Sequence, residues 1–434
     1  MVVTGRAVLL ALAATVAVAL SGLIGAAAAA AALGVLAVLL ALDVVLAASP
    51  KAVLLSREGD TSLRLGDSAT VYVTVANPTR RGLRGSVRDA WPPSAHAAPR
   101  SQPLRVPSGE RRRVRTVLTP TRRGDARAAG VTVRSLGPLG LAGRQRTLPA
   151  PWTVRTLPPF HSRRHLPGKL SRLRELEGQH TAMVRGQGSE FDSLRDYVPG
   201  DDVRSIDWRA TARGDGVVVR TWRPERDRRI LIVLDTGRTS AGRVEDTPRL
   251  DHAMDAALLL AALAGRAGDR VDFLAYDRRT RAQVRSSGKG GQQVGRIVEA
   301  MAPLEAELVE SDPAGLVGTV LGTQGRARRL VVLLTDLNAA SLEAGLLPRL
   351  PVLTSRHLLL VAAVNDPAVE LMAAERGSAD ALYRAAAAER TLGERRRVTA
   401  ELRRMGVEVV DADPEHIAPA LADAYINLKA QGRL

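Results

Sequence analysis

Cysteine is absent from the 434 residues, and aromatic residues make up only 3% of them. The first absence excludes a disulfide scaffold, thiolate metal sites, iron–sulfur clusters and a cysteine nucleophile. The second argues against a stacking platform for single-stranded nucleic acid. Chemical motifs are scarce as well. No phosphate loop of the Gly-x-x-x-x-Gly-Lys-Ser/Thr type occurs; the run Ser287-Gly-Lys-Gly-Gly lacks its hydroxyl and spacing and reads as a loop. There is no Gly-x-Ser-x-Gly elbow. His161 and His165 stand four apart, but Pro159 and Pro167 bracket them, which argues against a helical metal pair. Acidic residues are also short: 45 Asp+Glu face 62 Lys+Arg, a net charge of +17 carried almost wholly by arginine. With 45% hydrophobic and 25% charged residues the bulk is globular, and the length suits two soluble domains with an appendage.

The appendage is the N-terminus. Val8 to Ala47 holds one charge, Asp43, in a stretch about twice as long as one bilayer crossing needs. Backbone groups find no water in lipid, so both passes are expected to be helical, over 7–25 and 28–47, turning near Ser21-Gly22. Arg6 precedes the first pass; Lys51 and Arg57 follow the second. Both cationic flanks then lie on one side, which the positive-inside bias makes the cytoplasm, with the soluble body there too. A cleaved signal peptide is the alternative, with the second stretch still an anchor and the body outside. Asp43 is expected near a helix end, reaching toward headgroups.

From 51 to 160 the period changes to two. Leu63 and Leu65, then Val71, Val73 and Val75, alternate with polar residues, and Val114–Leu118 and Val131–Arg134 repeat the pattern. Half-buried strands broken by Gly, Pro and Ser predict an antiparallel β-sandwich. The stretch Leu136-Gly-Pro-Leu-Gly-Leu-Ala reads as a turn cluster. About thirteen arginines against Glu110 and Asp125 lie between Arg100 and Pro159. Such a surface fits anionic headgroups, a nucleic-acid backbone, or a merely solvated face.

Residues 229–434 alternate strands and helices. Arg229-Ile-Leu-Ile-Val-Leu-Asp235 is a fully buried parallel strand by composition; Val271–Tyr276, Leu330–Asp336, His357–Val361 and Val407–Val410 follow, with helices between and Thr280–Arg285 as an edge hairpin partner. This predicts a doubly wound α/β domain. Asp235 and Asp336 then stand at carboxyl ends of central strands, where open α/β sheets bind ligands.

Residues 161–228 bridge the two domains. Within them Gly188, Glu190-Phe191, Leu194-Arg195, Tyr197, Pro199-Gly200-Asp201-Asp202, Arg204, Asp207-Trp208 and Arg213 form a dense run of interleaved carboxylates and guanidiniums. Bidentate pairing, a Pro199-Gly200 turn and a Trp208 core anchor are its expected structural content. The run resembles the signature of the domain of unknown function 58 family of bacterial membrane proteins. The layout resembles that family too: membrane hairpin, β module, signature, then a von Willebrand factor A-like domain. Gly137 and Leu139 differ from the Asp and Phe common in the family's entry turn.

The resemblance implies a metal-ion-dependent adhesion site. Its first motif reads Asp235-Thr236-Gly237-Arg238-Thr239, with Gly237 in place of one hydroxyl ligand and Thr239 retaining another. Asp336 is the later carboxylate, and Ser311 or Asp312 the candidate for the remaining ligand. Asp235, Thr239 and Asp336 are the candidate Mg²⁺ ligands, with Arg238 close to the metal position. The resemblance also implies a partner, a MoxR-type AAA+ ATPase. The reading is therefore a non-enzymatic, membrane-anchored adaptor in a chaperone-like or cell-envelope role. Its rivals are a metal-dependent hydrolase built on the signature carboxylates and an anionic-lipid or nucleic-acid-binding module built on the arginines.

Overall fold

The computed structural model describes residues 1–20, 26–183, 190–214, 216–223, 228–286, 290–322 and 328–434. Gly188 of the signature and the expected turn at Ser21-Gly22 lie outside them. The chain divides into two compact units, Met1–Pro159 and Phe160–Leu434.

The first unit opens with two apolar helices, Gly5–Leu20 and Ala26–Leu46, rather than 7–25 and 28–47. At 1.5 Å per residue the first spans about 24 Å and the second about 31 Å. Among the described residues one helix is long and apolar enough to cross a membrane; its candidate span is Ala29–Ala52. The expectation of two such helices is corrected to one, with a shorter apolar helix before it.

The body of this unit is three small sheets. One has the strands Val2–Val3, Ala142–Leu148, Gly130–Leu136, Leu83–Ala90 and Gln102–Val106, in that order and all antiparallel. A second has Leu54–Gly59, Ala69–Ala76 and Arg111–Leu118. Alternation sets their faces: Val73, Val75 and Val114 from one sheet meet Leu83, Val87, Leu104, Val131 and Val133 from the other. Each fully buried side chain of this size contributes roughly 1.5–3 kcal/mol. The third sheet departs from the antiparallel expectation, because Thr153–Leu157 pairs parallel with Ser62–Arg64 while pairing antiparallel with Gly124–Arg127.

Two polar devices lock this unit. Arg57 and Asp89 form a buried bidentate pair at 2.8 and 3.0 Å, and the Trp91 indole also donates to Asp89. Arg57 is thus consumed inside the module and is not a flanking charge for the bilayer; Arg6 and Lys51 are exposed. Asp43 stands near a helix end, as expected, but it does not reach toward headgroups. It is wholly buried, and its carboxylate accepts the backbone N–H groups of Leu139, Leu141 and Ala142 at 2.7–2.8 Å. A Cβ on Gly137 would overlap that carboxylate, which is why the turn opens with glycine. Arg81 and Arg144 donate to the carbonyls of Val45 and Val44, satisfying the last turn of the second helix. The start of the first helix is held at the same loop: Thr4 donates its N–H to Leu141 and its hydroxyl to Gly140.

The second unit holds a six-stranded sheet in the order Thr280–Val284, Arg270–Tyr276, Arg229–Asp235, Leu330–Leu334, Leu358–Val364, Glu408–Ala412. All neighbours are parallel except the edge strand Thr280–Val284, as the alternating pattern predicts. Leu231 and Val233 face a core with Val317, Val320, Leu346, Val398 and Leu402. The helix Arg249–Arg266 packs on the strand Arg229–Asp235 and on the C-terminal helix Ile417–Ala430. Between them is a buried polar cluster in which Tyr425 and Lys429 both donate to Asp269. Burial raises the Asp269 carboxyl above its ordinary range, and the Lys429 charge opposes that rise. The apolar run Ile230–Leu234 is buried throughout, so it is the central strand that delivers Asp235 to the sheet's rim.

Candidate functional site

At the rim the chain leaves the sheet at Asp235 and, one strand over, at Thr335-Asp336. Asp235 is 9% exposed. Its Oδ1 accepts the Gly237 N–H at 2.9 Å and the Ser311 hydroxyl at 2.6 Å. Its Oδ2 accepts the Thr335 hydroxyl at 2.6 Å and, more weakly, Thr239 at 3.4 Å. Ser240 donates to the Asp235 carbonyl. The carboxylate is therefore ringed by three hydroxyls and one amide. Of the two residues offered for the missing ligand, Ser311 reaches it, whereas Asp312 caps the helix Pro313–Gly322 by accepting from Ala314. Gly237 is explained by the same contact: a Cβ there would overlap the Ser311 hydroxyl and stand 3.1 Å from Asp235 Oδ1.

Asp336 is held differently. Arg249 donates to its Oδ2 at 3.1 Å and Arg395 to its Oδ1 at 2.8 Å, while Arg395 also grips Asp411 with two bonds of 2.7 Å. Burial works against the Arg395 charge, but its carboxylate partners outweigh this and raise its pKa. The cation expected beside the site was Arg238. It pairs instead with Glu310, both side chains more than half exposed. The guanidiniums at Asp336 come from the helices Arg249–Arg266 and Ala379–Arg404, and nothing in the local sequence marks either one. A shallow cleft opens beside Asp336, lined also by Thr239, Ser240, Arg249 and Thr335.

These donors do not fit a divalent cation. Such an ion needs carboxylate and hydroxyl oxygens with free lone pairs directed at one point. Here both oxygens of Asp336 already face guanidiniums, and the hydroxyls around Asp235 turn their protons toward it. Among the described residues no group of three or more His, Cys, Asp or Glu side chains could hold a metal.

The signature folds as a hairpin of Glu190–Asp196 with Val218–Arg223, and two of its carboxylates, Asp201 and Asp207, are paired locally. Arg195 pairs with Asp201 at 2.5 Å, and Asp201 also accepts from Val198, closing the Pro199-Gly200 turn, where Gly200 has φ +110°. The bond from Arg195 lowers the Asp201 carboxyl. Asp202 accepts from Arg204, and Asp207 caps the short helix Trp208–Thr211 while pairing with Arg220 at 2.8 Å, which lowers its carboxyl in turn. Tyr197 extends the ladder by donating its N–H to Val217. Arg213 closes the short helix with a backbone bond to Ala210. Trp208 is not a core anchor. It is 67% exposed, as Leu194, Val198 and Val203 are also exposed, because the capping of its helix by Asp207 turns it outward.

Residues 193–378 match the family model described as Protein of unknown function DUF58. Uncharacterized proteins of Mycobacterium bovis and Mycobacterium tuberculosis are each 27% identical over 194 residues, 44% of this chain. The chain spans about 60% of the length of these curated relatives. Among solved structures, the conserved hypothetical protein BatB of Bacteroides thetaiotaomicron is 12% identical with a TM-score of 0.30, covering 47% of this chain and 99% of that one. An aerotolerance-related membrane protein of Bacteroides fragilis is 14% identical with a TM-score of 0.28 over the same shares.

Proposed function

We propose that the protein is a membrane-anchored, non-enzymatic adaptor whose C-terminal α/β domain, read as von Willebrand factor A-like, binds a protein partner. The resemblance points to a MoxR-type AAA+ ATPase and to a chaperone-like or cell-envelope role. The observation that carries this reading is the signature hairpin. Arg195 pairs with Asp201 and Arg220 with Asp207, while Leu194, Val198, Val203 and Trp208 are exposed. Exposed apolar side chains in a polar frame are the composition of protein interfaces, and Trp is a frequent energetic anchor there.

The anchoring half of the proposal is supported by the loop 139–142. It holds both Thr4, just before the first apolar helix, and Asp43, near the end of the second. One loop therefore fixes the start of the shorter apolar helix and the end of the helix long enough to cross a bilayer. Exposed Arg6 and Lys51 favour the cytoplasmic side.

Crosslinking in native membranes, followed by recovery from detergent, tests the reading. The ATPase should be recovered with the wild-type chain and reduced at least tenfold by Trp208→Ala. Full recovery with the folded variant rejects the hairpin as the docking surface. Recovery of no ATPase rejects the partner.

A second reading has its own observation. Register puts Arg84, Arg88, Arg105 and Arg134 on one outward face of the five-stranded sheet. All four are exposed, and among the described residues Arg84, Arg88 and Arg105 have no carboxylate partner. Such a face would attract anionic headgroups, with binding to phosphatidylserine vesicles that falls as salt rises.

A further inference from the structure

The rim of the α/β sheet carries an all-oxygen set of the kind a hard cation takes, and yet a cation is already built into it. Asp235 gathers the hydroxyls of Ser311, Thr335 and Thr239, and Asp336, the residue after Thr335, lines one cleft with Thr239, Thr335 and Arg249. Arg249 enters this set from the first turn of its helix, its side chain 23% exposed, and pairs with Asp336. Its Nε is buried without a hydrogen-bond partner, an expensive arrangement for a guanidinium placed only for packing. The cluster Asp235, Asp336, Asp411, Arg249 and Arg395 carries one net negative charge. Without Arg249 it carries two, which oxygen-rich sites neutralise with a divalent ion.

We propose that the Arg249 guanidinium takes the place of the divalent cation at this rim, so that the site is metal-independent and becomes a cation site when Arg249 is removed. The geometry around Gly237 agrees. Ser311 supplies its hydroxyl from a different loop and excludes a side chain at 237. Ser311 thus fills the place of a hydroxyl at 237, and the charge a metal would bring is present already in Arg249. This inference concerns the rim itself and holds whether or not the hairpin binds an ATPase.

The test uses the full chain in detergent with Mn²⁺ as the probe, read by paramagnetic resonance and by thermal unfolding. Wild type should bind no stoichiometric Mn²⁺, and its unfolding temperature should not respond to Mn²⁺, Mg²⁺ or chelator. Arg249→Ala should take up one Mn²⁺ per chain, at least tenfold tighter than any wild-type binding, and be stabilised by it. Adding Asp235→Asn should abolish that gain. Arg249→Gln keeps a donor to Asp336 without the charge, and serves if the alanine variant does not fold. Stoichiometric Mn²⁺ binding by wild type that Asp235→Asn removes overturns the proposal. So does a folded Arg249 variant that gains none.

Discussion

Asp43 and Asp235 are both carboxylates buried among neutral donors, one in each unit, and their donors differ in kind. Asp43 takes three backbone N–H groups from one loop. Those donors are fixed by the chain path, so the carboxylate has one arrangement and nothing to exchange. Asp235 takes one backbone N–H and three side-chain hydroxyls from three separate segments. A hydroxyl rotates and can accept as well as donate, so this shell has more than one possible arrangement. Similar burial therefore goes with a fixed brace in one place and a shell of rotatable donors in the other. Asp336 adds a contrast within the rim, since guanidiniums rather than hydroxyls hold it.

The largest effect is expected at the brace. Asp43→Ala removes the acceptor of three amides, two of them buried, and bonds to a charged group contribute about 1.5–3 kcal/mol each. A loss of about 4 kcal/mol or more is expected, read as thermal unfolding and protease cutting of the β module in detergent. Gly137→Ala should act in the same direction by displacing that carboxylate. A cost below about 1 kcal/mol for Asp43→Ala would erase the distinction between brace and site.

Gly237→Ser comes next, because it restores a hydroxyl where Ser311 already stands. Overpacking of this kind costs about 1–3 kcal/mol. The cost should fall sharply in a Ser311→Ala background, which vacates the space, and a double-mutant cycle measures the coupling. Additive behaviour would mean the two hydroxyls do not compete.

Legibility tracked how local each signal is. Ile230–Leu234 is a continuous apolar run, so the central strand and the rim position of Asp235 were readable from composition alone. The turn between Leu136 and Ala142 was readable from its glycines and proline. The use of that turn was not, because its ligand Asp43 lies 96 residues or more away in sequence. Arg249 and Arg395 lie 87 and 59 residues from Asp336 and sit among dozens of similar arginines. In a chain this rich in arginine, charge alone cannot say which guanidinium reaches which carboxylate. Trp208 misled for a related reason. Size favours burial, but the Asp207 cap fixes the direction of the short helix first.

Single hydroxyls at the rim should matter less than the brace. Thr335→Val and Ser311→Ala each remove one neutral donor from a carboxylate that keeps others, so about 1 kcal/mol apiece is expected in denaturant unfolding. Their double variant should lose more than the sum, since the remaining donors to Asp235 are one amide and the long Thr239 contact. A sum without coupling would mean Asp235 is solvated as readily as it is held.

The smallest effect separates the two ends of the sheet. His357 precedes the strand Leu358–Val364 at the end opposite the carboxylate rim, and it is 6% exposed. Burial lowers its pKa, and the charges of Arg329 and Arg356 lower it further. The unfolded ring titrates near its ordinary value of about 6.5 while the folded ring stays neutral to lower pH. Below that value the unfolded chain binds the extra proton, so stability is full at neutral pH and falls on acidification. His357→Gln should flatten this slope between about pH 7 and 5, with a residual slope from His252, whose pKa burial also depresses. An unchanged slope would move the acid sensitivity away from the amino end of the sheet, toward the carboxylates that the opposite rim holds.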